Sequence, residues 1–398
     1  MQPRRKLSVL ALTLGTLATL GTFGVSAPAF AAEPLKIGLV LPMTGPFADY
    51  GKEIEHGVRL YLGVNGDTVA GRKVELIVKD DSPGTSGDVD KRLVQELIVK
   101  DKVDVLAGFA LTPSALAVAS LATEAKKPMV VMNAATSIIT TRSPYIVRTS
   151  HTLPQDTAPI ATWAAKNKIK KVYTLVADYG PGIDAEGQFK KTFSAAGGEI
   201  VGDVRVPLSN TDFAPYLQRI KDTKPDAVFL FLPPGAQTIA FMKGFADRGL
   251  AQAGVRIIAT GDLTDEDVLD AMGDPALGVI TAGHYAQSHK SPENAAYTAA
   301  YAKAYPKDRP NFMSVAGYDG MHLIAAAITK TGGSADADKF IEAAKGMSWM
   351  SPRGRITIDP ATRDIVQTVY IRKVERVGDK LQNVEFDSFP DVKDPGKP

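Results

Sequence analysis

An α/β fold of two similar lobes follows from three observations on the 398-residue chain. Short runs rich in Val, Ile and Leu alternate with longer segments whose apolar residues recur at three- and four-residue spacing. The alternation comes as two comparable blocks, 35–147 and 172–283, joined by a polar stretch at 148–157 that contains Pro154. About 365 residues follow the N-terminal leader, more than one ordinary domain holds. Strand and helix in strict alternation give parallel sheets covered by helices on both faces.

Residues 1–31 carry a basic head (Arg4, Arg5, Lys6), an apolar run from Leu7 to Val25 and then Ala29-Phe30-Ala31, the small-x-small pattern of a signal-peptidase site. We expect a cleaved signal peptide and a mature chain that starts near Ala32. No other stretch is apolar enough to span a bilayer. The chain has no cysteine, which excludes disulfides, thiolate chemistry, Cys-ligated metals and an acylated N-terminus. Lys and Arg number 46 against 44 Asp and Glu; without the three basic residues of the leader the balance is 43 against 44, a net −1. That balance gives no reason to expect a nucleic acid or an anionic membrane surface as partner.

Taken in order, the strands fall at 35–41, 73–79, 103–108 and 128–132, then at 172–177, 199–204, 226–232, 255–259 and 278–282. Amphipathic helices lie between them at 88–100, 114–126, 184–196, 213–223 and 237–248. After the second block come two helices, about 292–305 and 315–330, a short one at 336–346, and extended segments at 355–358 and 366–374. This remainder is too small for a third domain and is expected to be shared. The first lobe is then 32–150 plus 286–358 and the second 151–285 plus 359–390, with chain crossings near 149–153, 282–287 and 356–366. The charged, proline-rich 391–398 is expected to be disordered.

The first segment after the leader, LKIGLVLPMTGPFADYG at 35–51, is a strand that ends in a Pro/Gly loop before a helix, where a parallel sheet offers backbone N–H groups to an anion. With it go Asp80-Asp81, AGFALTPSALA at 107–117, VVMNAATS at 130–137 and VADYGPG at 176–182. In this order and spacing they resemble the Leu/Ile/Val-binding protein family, the type I periplasmic solute-binding proteins of ABC importers. The resemblance covers nearly the whole mature chain. It implies two Rossmann-like lobes on a three-crossover hinge, closure over one solute, a periplasmic location, an ABC permease in the inner membrane as partner, a monomer and no enzymatic activity.

The resemblance also places the ligand-binding residues. Thr112, ahead of Pro113 at a helix start, matches a hydroxyl that binds the solute carboxylate; read alone, it equally well caps its own helix. Ala134 and Thr136 match a carbonyl and a hydroxyl that hold the α-amino and carboxylate groups, where an Asn/Thr turn bonding to itself is the local alternative. Tyr50 and Tyr179 match aromatic walls, one from each lobe. Asp262 matches the acid that pairs with the solute ammonium, or else belongs to a capping run with Asp265, Glu266 and Asp267. Two departures bear on the solute: Pro233-Pro234-Gly235 stands where an aromatic wall is usual, and Phe109 precedes Thr112. With His284 and Tyr285, these shape the pocket towards a flat aromatic acid. The first expectation for the solute, a small carboxylate, is nevertheless a hydrophobic or branched-chain amino acid, captured by lobe closure; the alternatives are an aromatic carboxylate such as a benzoate or phenylpropanoid acid in the same transport role, or a ligand-sensing module built on the same cleft.

Enzyme motifs are missing. Gly180-Pro181-Gly182 is followed by Gly187, which breaks the dinucleotide spacing, and no P-loop, G-x-S-x-G or H-E-x-x-H occurs. The five histidines are scattered without metal spacing, so neither metal nor cofactor is expected.

Overall fold

The computed structural model describes Met1 and residues 33–397, so the expected leader lies outside the described residues. Among them are two sheets. The first holds β1 (Leu35–Leu41), β2 (Thr68–Val69), β3 (Arg72–Asp80), β4 (Val105–Gly108), β5 (Met129–Val131) and β6 (Ile146–Arg148), ordered β2-β3-β1-β4-β5-β6. The second holds β7 (Lys171–Ala177), β8 (Glu199–Val206), β9 (Ala227–Phe231), β10 (Arg256–Thr260), β11 (Ile280–Gly283), β12 (Ser348–Ser351), β13 (Gly354–Ile358), β14 (Ile365–Val377) and β15 (Lys380–Val392). Its order is β12-β13-β14-β11-β10-β9-β7-β8, with β15 beside β14.

Within each sheet the strands that alternate with helices are parallel, so their carboxyl ends share one edge. Ligands of such sheets bind outside that edge. The central strands are apolar throughout because both faces are covered: in β1, Ile37, Leu39, Val40 and Leu41 are all buried. Helices Pro292–Ala304, Phe312–Lys330 and Ala337–Ala344 return to the first sheet and share a core with Leu35, Ile37 and Leu39. The β12–β13 hairpin joins the second sheet by its backbone yet buries Ile356 and Ile358 in that first core.

Buried arginines tie the crossings together. Arg148, at the end of β6, pairs with Asp364 at 2.9 Å, and its backbone N–H donates to the Arg363 carbonyl. Arg353 donates to the Ser150 carbonyl at 3.1 Å and pairs with Asp319 at 3.0 Å. Arg372 donates to the carbonyls of Tyr285 and Gly261. A buried guanidinium persists only where carboxylates and carbonyls replace its water. Each of these donates at least once to a residue at a crossing: Arg148 to His151, Arg353 to Ser150 and Arg372 to Tyr285.

Three features differ from expectation. The stretch read as a linker holds a helix, Leu153–Lys166, started by Thr152, whose side chain accepts from the Gln155 N–H, with Pro154 in the first turn. Segment 380–392 is a thirteen-residue strand paired to β14. The tail is not loose: Ser137 Oγ donates to Asp394 at 3.0 Å and Lys397 pairs with the buried Asp364, so a composition typical of disorder is held by specific charges. No helix among the described residues is long and apolar enough to cross a membrane.

Candidate ligand-binding site

The carboxyl ends of both sheets face one cleft. In the first lobe, β4 ends at Gly108 and the chain reverses through Phe109, whose φ of 61° is left-handed. The helix Thr112–Glu124 follows, with Leu111 at its N-cap and no side chain capping it. Thr112 is thus the first helical residue, and its hydroxyl meets that of Thr136 at 3.1 Å instead of bonding its own helix. A hydroxyl not spent on its own helix, beside first-turn N–H groups that no side chain caps and at the positive end of a helix dipole, suits an anion.

Beyond β5, the Ala134 and Thr136 carbonyls point at Arg148. Its guanidinium donates to Ala134 O at 3.0 Å, to Thr136 O at 2.9 Å and to His151 O at 3.2 Å. The expected ammonium-binding carbonyl of Ala134 therefore already accepts from a buried cation. The charge of Arg148 is in turn paired with the buried Asp364.

From the second lobe, Tyr179 precedes the helix Gly180–Ala195 and stacks on Phe231 with ring centroids 6.0 Å apart. Asp262 sits in the short turn Gly261–Thr264 after β10 and accepts from the Thr260 hydroxyl at 2.7 Å. Burial raises the pKa of Asp262, against the opposing pull of His151, so its charged form is disfavoured there. Burial likewise pushes the phenols of Tyr50 and Tyr179 upward, which keeps both protonated as donors.

Tyr50, Thr112, Ala134, Tyr179, Pro234 and Asp262 all line one cavity. The lobes are shut over it. Tyr50 Oη donates to the Pro234 carbonyl at 2.9 Å and the Ser137 N–H to Asp184 at 2.9 Å. Gly180 comes so near Thr136 that a Cβ on it would lie 2.6 Å from Oγ1.

Five of the seven expected residues thus share the cavity, and Thr136 touches it through Thr112. Phe109 does not belong there. It is fully buried among Val40, Leu97 and Leu106, because the left-handed turn directs its ring back under the sheet and presents Ala110 and Leu111 to the cleft. Sequence reasoning missed His151, Asn133 and Phe231, which also line the cavity. His284 lies behind His151, its ring centroid 4.6 Å away, rather than on the wall.

Two lobes on three crossings, shut over a single small polar-ended cavity, define a solute-binding protein. The chain belongs to the periplasmic binding protein family, whose model matches residues 34–380, and within it to the Leu/Ile/Val-binding proteins of ABC transporters. Among solved structures it is similar to a solute-binding protein of an ABC transporter from Rhodopseudomonas palustris BisB5 in complex with 3,4-dihydroxybenzoic acid. The identity is 57%, the TM-score 0.88, and the match covers 92% of this chain and 99% of that one. A second, from Rhodopseudomonas palustris HaA2 in complex with p-hydroxybenzoic acid, is 49% identical with a TM-score of 0.89 and the same coverage, 92% and 99%. The Leu/Ile/Val-binding protein homolog 6 of Brucella melitensis biotype 1 is 46% identical over 96% of this chain and 98% of its own length.

Proposed function

We propose that this solute-binding protein captures a small aromatic carboxylate of the hydroxybenzoate kind and, as a monomer in the periplasm, delivers it to an ABC permease of the inner membrane. The leader is removed on export, and the working lobes are 32–150 plus 286–358 and 151–285 plus 359–390. The observation that carries the ligand class is the Arg148 guanidinium on the carbonyls of Ala134 and Thr136. The Ala134 carbonyl, to which an α-ammonium would have to donate, already accepts from a guanidinium, whereas the Thr112 hydroxyl at its helix start can still donate to a carboxylate. The aromatic acids bound by the similar Rhodopseudomonas palustris proteins support this reading.

Closure then proceeds by rotation about the three crossings. The first lobe holds the carboxylate at Thr112, and Tyr179 and Asp262 come down from the second. A second reading, capture of a hydrophobic amino acid, is favoured by Asp262 as a partner for an ammonium and by the names of the curated relatives. A thermal-shift panel separates the two, because only a solute that binds the native state raises the melting temperature, by about 2.7 kcal/mol of stabilisation at 100 Kd. We expect 4-hydroxybenzoate to raise it and leucine to leave it unchanged. The opposite pattern would favour the amino acid.

A further inference from the structure

His151 stands at the first crossing, outside every residue so far given a ligand role, yet it lines the cavity. Its imidazole is 2% exposed and clamped from behind: Nδ1 donates to Asp156 Oδ2 at 2.6 Å, and the ring packs against His284 and Phe312. Nε2 has no protein partner among the described residues. Asp156 comes from the Leu153–Lys166 helix and is itself 1% exposed. Burial alone would raise its pKa, but the charge and hydrogen bond of His151, with His284 behind, hold it below the ordinary carboxylate range. An ionised carboxylate only accepts, so the proton between the two groups sits on Nδ1, and Nε2 is the ring nitrogen left to meet a solute.

We propose that His151, oriented by Asp156, is the acceptor that selects a ring hydroxyl on the bound carboxylate. The proposal rests on the aromatic-acid reading above. A lone pair at this wall rejects the carboxylate end, as does the neighbouring Asp262, and so fixes the solute with its carboxylate at Thr112 and its phenolic O–H at the second lobe. An O–H reaching Nε2 replaces water with a well-oriented acceptor, whereas an unsubstituted ring leaves that acceptor buried and unpaired. Sites built to hydrogen-bond a hydroxyl discriminate strongly against analogues that lack it. Asp156 acts through His151 and is a positioning residue.

The test is calorimetry of the full mature chain with 4-hydroxybenzoate, benzoate, 4-methoxybenzoate and leucine. The parent is expected to prefer 4-hydroxybenzoate over benzoate and over the methyl ether, which keeps the oxygen but has no proton to give. His151→Phe is expected to lower that preference by about tenfold or more while benzoate affinity stays within about threefold. An unchanged preference in His151→Phe would overturn the proposal, as would an equal loss for both acids. Should the variant not fold, ¹⁵N-histidine spectra of the parent decide: the Nε2 resonance moves with 4-hydroxybenzoate and not with benzoate if the proposal holds, and equally with both if it does not. Leucine binding with no aromatic acid bound would instead sink the ligand class on which the proposal rests.

Discussion

The Tyr50 hydroxyl of the first lobe donates to the Pro234 carbonyl of the second at 2.9 Å, a bond that exists only while the cleft is shut. Its ring also walls the cavity, packed edge-on against Phe47 with centroids 5.3 Å apart. Tyr50→Phe keeps the wall and removes the latch. The closed state should lose about 1 kcal/mol, seen as a roughly fivefold weaker affinity with little change in melting temperature of the unliganded protein. An unchanged affinity would show that the Pro234 contact follows closure without supporting it.

Thr112 supplies a hydroxyl that its own helix does not use. Thr112→Val is close in shape and deletes one bond to the solute carboxylate. Affinity for a bound acid should fall by about 1–3 kcal/mol by calorimetry. No loss would mean that the carboxylate sits elsewhere in the cavity.

Closure also brings two acids together. Asn311 Nδ2 donates both to Glu53 of its own lobe, at 2.6 Å, and to Asp265 of the other, at 2.8 Å. Burial raises both carboxyl pKa values well above normal; Asp267 and Asp49 add to the effect on Glu53 while the Asn311 hydrogen bond and Lys52 oppose it, and Asp267, Glu53 and Glu266 raise Asp265 further. Asp267 itself is pushed up to about 6, by burial first. Closed groups with raised values bind protons more tightly than the same groups in an open cleft, so closure is favoured at low pH and weakens as pH rises from about 4 through the raised values. Affinity for a carboxylate that stays ionised should therefore decline as pH rises through about 6, the value of Asp267. Glu53→Gln should flatten that slope. A slope that persists in the variant would assign the proton to another group.

Much of this was readable from the residues because the central strands are buried on both faces: the segment read at 35–41 is β1 to the residue, while the helices read at 114–126 and 184–196 begin two and four residues earlier, at Thr112 and Gly180, each just ahead of its proline. What escaped lacked periodic signal. The helix after Thr152 carries Pro154 and Pro159 and looks like a linker, and with it went Asp156, the partner that gives His151 its orientation. β15 exposes a charged face and reads as loop. Phe109 was assigned to the pocket because nothing in a sequence announces a single left-handed residue. The role of Arg148 depends on carbonyls, which no side-chain pattern encodes.

Asp262 distinguishes the two ligand classes. If an ammonium faced it, Asp262→Asn would leave that cation desolvated and unpaired, at a cost of several kcal/mol. For an aromatic acid the change removes an anion from a cavity that holds a carboxylate. The variant should therefore keep 4-hydroxybenzoate affinity within about threefold of the parent or improve it, by competition binding. A loss of more than about a hundredfold would point to a cationic group on the solute.

Calorimetric titration of the unmodified mature protein with 4-hydroxybenzoate and, separately, with leucine goes to the centre of the account. An Ala134 carbonyl already spent on Arg148 predicts saturable one-to-one binding of 4-hydroxybenzoate and no heat with leucine. Saturable binding of leucine, with 4-hydroxybenzoate giving none, would contradict it.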